Sequence, residues 1–144
     1  MLSALEEAPF HPVLKSSTLP YKLDNSRLPY YREIYQQVSS ECGQVSGIAY
    51  NFTYEINRLR DLPASSPENQ YPPHFPFNFM NGGHGWHGVS YFHSFEILRT
   101  LGCPDVTTYG GMAAGGDSRW MTGYHAYLKA MKNRIRKVYR ISVG

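Results

Sequence analysis

Residues 42–60 read CGQVSGIAYNFTYEINRLR, and this segment sets the architecture that the sequence predicts. Its apolar side chains follow one another at intervals of three and four residues, which is the pattern of an amphipathic helix with one buried face. They are Val45, Ile48, Phe52, Ile56 and Leu59. The sequence Asp61-Leu62-Pro63 comes next, and proline cannot continue a helix. The pattern therefore predicts a helix that begins at Cys42 and ends near Arg60.

Helical spacing also dominates the rest of the chain. A short helix is expected within residues 74–80, and a longer one over residues 91–101, where Gly102 is positioned to cap its C-terminus. A third helix with a basic outer face is expected from a stripe at Met121, Tyr124, Leu128, Met131, Ile135 and Val138. No series of alternating residues predicts a sheet, so the expected fold class is mainly α with long loops and few strands.

The length of 144 residues suits one compact domain. Residues 1–32 contain scattered prolines and polar residues without a sustained period, which predicts an extended arm packed on the domain. Residues 33–144 carry all the helical patterns. The expected organisation is therefore an arm over residues 1–32 and a helical domain over residues 33–144, forming a single unit.

Charge and hydropathy limit the expected partners. The formal net charge is +3, and its cations cluster near the C-terminus without an aromatic and basic groove, so no nucleic-acid partner is expected. No stretch approaches the roughly 18 apolar residues that span a bilayer, and the acidic N-terminus does not resemble a signal peptide. No membrane partner is therefore expected. The two cysteines, Cys42 and Cys103, leave the redox compartment open.

Cys42 is the candidate nucleophile. It occupies the first turn of the predicted helix, where the helix dipole and free backbone N–H groups stabilise a thiolate. Gln36 and Gln37 precede it by six and five residues. A side-chain amide at either position can join the Cys42 backbone N–H in binding an oxyanion. These three residues are the predicted catalytic residues.

The segments Leu28-Pro29-Tyr30, Ile34-Tyr35-Gln36-Gln37 and Ser40-Glu41-Cys42-Gly43-Gln44 resemble the nucleophile-bearing N-terminal half of the papain-like cysteine peptidases. The resemblance spans about residues 18–112 and lies mainly in the order of elements. It implies the left-hand, helical half of a papain-like fold, with the central helix opening at Cys42. It further implies that a glycine-rich loop at residues 81–88 lines a substrate cleft, through Gly82, Gly83, Trp86, His87 and Gly88.

The resemblance implies peptide-bond hydrolysis through a cysteine thiolate and an acyl-enzyme, with a peptide or protein substrate and no cofactor. In this family the histidine base and its asparagine come from a second half, some 130 residues or more beyond the cysteine. The sequence ends about 100 residues after Cys42, so a fragment lacking that half is expected, with the half carrying His and Asn as a further partner. Family resemblance also suggests a secreted protein.

Other interpretations stay open at this stage. The string that usually surrounds the family's nucleophile is absent, and an alternative alignment places Val45 at the nucleophile position, which predicts a non-catalytic, peptidase-like binding protein. His84 and His87, with His74 and His93 near them in sequence, form a rival zinc site. The preferred expectation is that the protein binds no metal. The basic segment over residues 120–140 is a rival binding surface. His125 is expected to be a packed helix residue.

Overall fold

The structure is a computed structural model that describes Pro9 and residues 20–141. Within these residues almost all regular structure is helical, and a single β-bridge residue, Arg140, donates its N–H to the carbonyl of Pro9 at 3.0 Å. The mainly α prediction is confirmed for this part of the chain. The arm predicted over residues 1–32 is described only at Pro9 and from residue 20 onward.

Five helices form the described part. Helix α1 runs without interruption through an α segment, Cys42–Gln44, a π segment, Val45–Phe52, and a second α segment, Thr53–Arg60. The others are α2, His74–Asn78, α3, Tyr91–Leu101, α4, Val106–Tyr109, and α5, Tyr124–Met131. Short 3₁₀ turns lie at Asn25–Arg27 and Pro67–Asn69. The predicted helix over residues 91–101 matches α3, whereas α4 was not predicted.

The π segment of α1 changes which residues face the core. Each π turn includes one more residue than an α turn, so the buried face rotates along the helix. The backbone N–H of Thr53 bonds to the carbonyl of Ile48, five residues earlier. After this point Thr53 and Asn57 are buried, whereas Leu59 is 85% exposed. The prediction that Leu59 lies on the buried stripe is therefore wrong, because it assumed a regular α-helix throughout.

The apolar core lies between α1, α3 and the aromatic residues around α2. Phe75 contacts Phe79 and Tyr109 edge to face, at centroid separations of 5.3 and 6.3 Å. Small residues on α1 let α3 approach closely, since a Cβ atom added at Gly47 would lie 2.7 Å from the Tyr91 ring. The residues of the core cluster are Ile48, Phe52, Tyr71, Phe75, Leu98, Cys103, Tyr109, Met121 and Ala130. This packing fixes the direction of α1, which carries the candidate nucleophile.

Helix α5 is shorter than predicted and turns a different face to the core. It ends at Met131, because the Asn133 side chain beyond it donates to the Cys103 carbonyl at 2.8 Å and accepts from Arg60 at 2.9 Å. Ala130 is buried, and its carbonyl approaches Gly102 so closely that a Cβ atom there would overlap it. The predicted stripe is wrong at three of its positions, which are exposed: Tyr124, Leu128 and Met131.

Residues 20–32 lie along the end of α1. The carbonyl of Pro29 accepts from the N–H of Ala64 at 2.8 Å, and the Tyr30 hydroxyl donates to Asp61 at 2.7 Å. The Tyr31 ring stacks on that of Tyr50 at 5.7 Å. These contacts attach the segment that precedes Cys42 to helix α1, which begins at Cys42.

Candidate functional site

Cys42 is exposed and is the first residue of α1. Within the described residues its sulfur forms no hydrogen bond, with a histidine or with any other side chain. Cys103, by contrast, is fully buried, and burial together with the nearby Asp105 carboxylate raises the pKa of its thiol well above the usual value. The two thiols therefore differ sharply in access to solvent, although both are reduced.

The two candidate oxyanion residues are both exposed. The side-chain amide of Gln37 donates to the Ser39 carbonyl at 2.5 Å, so it is occupied within its own loop. The Gln36 side chain forms no hydrogen bond among the described residues, which leaves its amide available to a ligand. Neither amide bonds to the Cys42 sulfur in this conformation.

The glycine-rich loop lies beside the chain that leads into Cys42. The N–H of Ser40 donates to the carbonyl of Gly85 at 3.3 Å, which anchors the loop two residues before the cysteine. Gly85 is buried, whereas the five residues predicted to line a cleft are all exposed: Gly82, Gly83, Trp86, His87 and Gly88. The structure thus brings this loop to the Cys42 side of the domain and leaves its predicted ligand-facing residues on the surface.

A second loop, residues 115–116, completes this surface. The backbones of Gly85 and Gly116 touch, because a Cβ atom added at Gly85 would overlap the Gly116 backbone. The indole of Trp86 lies over Gly115 and Gly116, and a Cβ atom added at Gly116 would be 2.9 Å from its Nε1 atom. No local pattern indicates that residues so far apart meet.

A buried polar cluster lies directly behind Cys42, and it was not predicted. The Nδ1 atom of His74 is 2.7 Å from Oε2 of Glu41, with both side chains fully buried. The approach is not aligned as a linear hydrogen bond, and neither atom has a hydrogen-bond partner within the described chain. The Nε2 atom of His74 is 3.3 Å from Oγ of Ser39, which also accepts from the N–H of Gly116 at 3.0 Å. We call Glu41, His74 and Ser39 the polar clamp.

The clamp has the order of contacts of a serine hydrolase triad, namely hydroxyl, imidazole and carboxylate. Ser39, however, is only 4% exposed, and its Oγ atom is bonded to the 115–116 loop. A substrate carbonyl has no path to this oxygen in the structure. The clamp therefore holds the chain before Cys42 from inside the domain, and Cys42 remains the exposed candidate nucleophile.

The other histidines do not assemble a metal site in the part of the chain that the structure describes. The rings of His84 and His87 approach each other at 4.8 Å between centroids. No group of three His, Cys, Asp or Glu side chains converges among residues 20–141 or Pro9, so the rival zinc site lacks a third ligand there. His74 is committed to the clamp. His125 is exposed, contrary to its expected packing.

Among the described residues, no helix combines the length and the apolar character that crossing a bilayer requires. Comparisons of the chain with protein-family models, with curated proteins and with solved structures find no match.

Proposed function

We propose that this chain is the nucleophile-bearing half of a papain-like cysteine peptidase, with Cys42 as the nucleophile. The observation that carries the proposal is that Cys42 is exposed at the first turn of the long helix α1, while the only other cysteine is sealed in the core. A thiolate at such a position is stabilised by the helix dipole and by unpaired backbone donors.

The surroundings of Cys42 support the proposal. The loop that contains Trp86 and His87 is anchored to Ser40 and remains exposed, so an extended peptide laid along it reaches the first turn of α1. Gln36 is exposed and has no competing hydrogen bond with any described residue, whereas the Gln37 amide must first leave the Ser39 carbonyl. We therefore assign the side-chain half of the oxyanion site to Gln36.

The reaction is acyl transfer. The Cys42 thiolate attacks the peptide carbonyl carbon, a C–S bond forms, and the carbonyl π electrons move to oxygen, where the Cys42 N–H and the Gln36 amide bind the oxyanion. Collapse of the oxyanion breaks the C–N bond, and the amine leaves with a proton from a histidine. Water then hydrolyses the thioester. In this proposal the histidine comes from a further half that carries His and Asn, since none of the described histidines bonds to the Cys42 sulfur.

The absence of a histidine bonded to Cys42, within the described residues, favours a second candidate function. Without a histidine at Cys42, the surface can hold a peptide without cleaving it, as a non-catalytic peptidase-like binding protein. In that case the Cys42 thiol has ordinary reactivity.

The test is the rate of Cys42 alkylation by iodoacetamide as a function of pH, followed at each cysteine by peptide mapping. Only the thiolate reacts, so an activated Cys42 retains a high rate well below the usual thiol pKa of ~8.5. Cys103 is the internal control and should not react while the protein is folded. A Cys42 profile that matches the same cysteine in the urea-unfolded chain would reject the peptidase proposal and favour the binding protein.

A further inference from the structure

We infer that the polar clamp, Glu41, His74 and Ser39, positions the backbone of Cys42 for oxyanion binding. This inference rests on the proposed function, because it assigns a role within the same site. His74 sits between two residues of one short segment, with Nδ1 2.7 Å from Glu41 and Nε2 3.3 Å from Ser39. One imidazole ring thus ties together the first and last of the three residues that precede the nucleophile.

The clamp acts on the N–H that the mechanism uses. Glu41 is the residue immediately before α1, and its carbonyl accepts the N–H of Val45 at 2.8 Å in the first turn. The Glu41–Cys42 peptide carries the Cys42 N–H, so fixing Glu41 fixes the direction of that donor. Oxyanion donors are effective only when they are held in place before the reaction.

The clamp is anchored on both sides by further contacts. On one side the Glu41 carboxylate accepts from the Tyr35 hydroxyl at 3.1 Å, and burial together with this carboxylate raises the pKa of Tyr35. On the other side Ser39 accepts from Gly116, in the loop that Trp86 covers. The clamp therefore links the oxyanion donor to the loops of the candidate cleft.

His74 and Glu41 do not touch the reacting atoms in this assignment; they are positioning residues that act through the backbone. The variants that test it are Ser39→Ala, which removes one contact, and His74→Gln, which disrupts both. Asn57→Ala is the matched control, because Asn57 is equally buried on α1 and its amide donates to the Asn69 carbonyl at 2.7 Å, far along the helix from Cys42. Circular dichroism and thermal melting establish that each variant is folded.

The readout is a ratio of two rate constants at Cys42, measured by peptide mapping. N-acetylalanyl chloromethyl ketone passes through a carbonyl adduct that needs the oxyanion site, and chloride leaves as the C–S bond forms. Iodoacetamide loses iodide in a direct displacement that needs only the thiolate. A change in thiolate fraction alters both rates equally, so the ratio reports the oxyanion site alone.

We expect the ratio to fall about threefold in Ser39→Ala and at least about tenfold in His74→Gln, with no change in Asn57→Ala, since a displacement of about 1 Å costs up to ~100-fold. An unchanged ratio in Ser39→Ala and in folded His74→Gln would overturn the inference alone, as would an equal fall in Asn57→Ala. If the wild-type ratio equals that of the urea-unfolded chain, the proposed function fails and the inference fails with it.

Discussion

Replacing Glu41 by glutamine changes a fully buried carboxyl group into an amide of the same size. Its Oε2 atom lies 2.7 Å from His74, which is also fully buried. Removing one partner of a buried polar contact leaves the other unsatisfied, which costs about 1–3 kcal/mol, and the Glu41 carboxyl group also accepts from the Tyr35 hydroxyl. We therefore expect Glu41→Gln to lower the free energy of unfolding by about 3 kcal/mol.

The chain offers a control of the same chemistry at the surface. Glu96 lies 2.8 Å from Arg99, but their side chains are 32% and 56% exposed. Exposed pairs contribute little, so Glu96→Gln should cost no more than about 0.5 kcal/mol. The two pairs have nearly the same distance between their polar atoms, and they differ in the burial of their side chains.

Urea denaturation at pH 7, followed by circular dichroism, measures both substitutions, and each should be repeated in 1 M NaCl. Salt should abolish the small effect at Glu96 and leave the effect at Glu41, because buried pairs are poorly screened. A loss below about 1 kcal/mol for Glu41→Gln, or a salt-sensitive loss, would refute the reasoning that the buried contact between Glu41 and His74 stabilises the fold.

Three further outcomes follow from the fold. Gly102→Ala should lower the free energy of unfolding by at least about 3 kcal/mol in urea denaturation, because Gly102 has a φ of +76° and the Ala130 carbonyl occupies the position of the added Cβ atom. Gly83→Ala is the control, with a φ of +82° and open space around the Cβ position, and should cost only about 1 kcal/mol. Equal costs for the two substitutions would contradict the steric explanation. Leu59→Ser should change the free energy of unfolding by less than about 0.5 kcal/mol, whereas Ile48→Ala should lower it by about 3 kcal/mol. The reverse order would support a regular α-helix with Leu59 on its buried face. Because folding raises the pKa of the Cys103 thiol, its contribution to the free energy of unfolding is complete below pH ~8.5 and declines by up to ~1.4 kcal/mol per pH unit above that pH. Cys103→Ala should therefore reduce the loss of stability at alkaline pH, and an unchanged loss would exclude the thiol as its cause.

The sequence predicted helices well where their signals are local. Helix α3 has both an apolar period and a glycine cap, and its bounds match the prediction. The third predicted helix failed beyond residue 131, because Asn133 bonds to Cys103 and Arg60 rather than continuing the turn. A side chain that ends a helix through partners about 30 and 70 residues away leaves no local signal.

The candidate site was predicted only in part for the same reason. The helix start identified Cys42, and glycine content identified the exposed loop near it. The polar clamp was not predicted, because His74 follows two prolines at the start of a correctly predicted short helix and was otherwise considered only as a rival metal ligand. Only the fold brings that ring against Glu41, and no periodic pattern links the two positions.

The π segment Val45–Phe52 has a consequence for how this chain tolerates insertions and deletions. Both ends of α1 are anchored, at Glu41 by His74 and at Arg60 by Asn133, and a π segment holds more residues per turn between these anchors than an α-helix does. Removing one residue within the π segment lets it tighten toward α geometry while both anchors stay in place. Removing one from Thr53–Arg60 instead pulls an anchor out of register, which makes the middle of α1 the place where its length can vary.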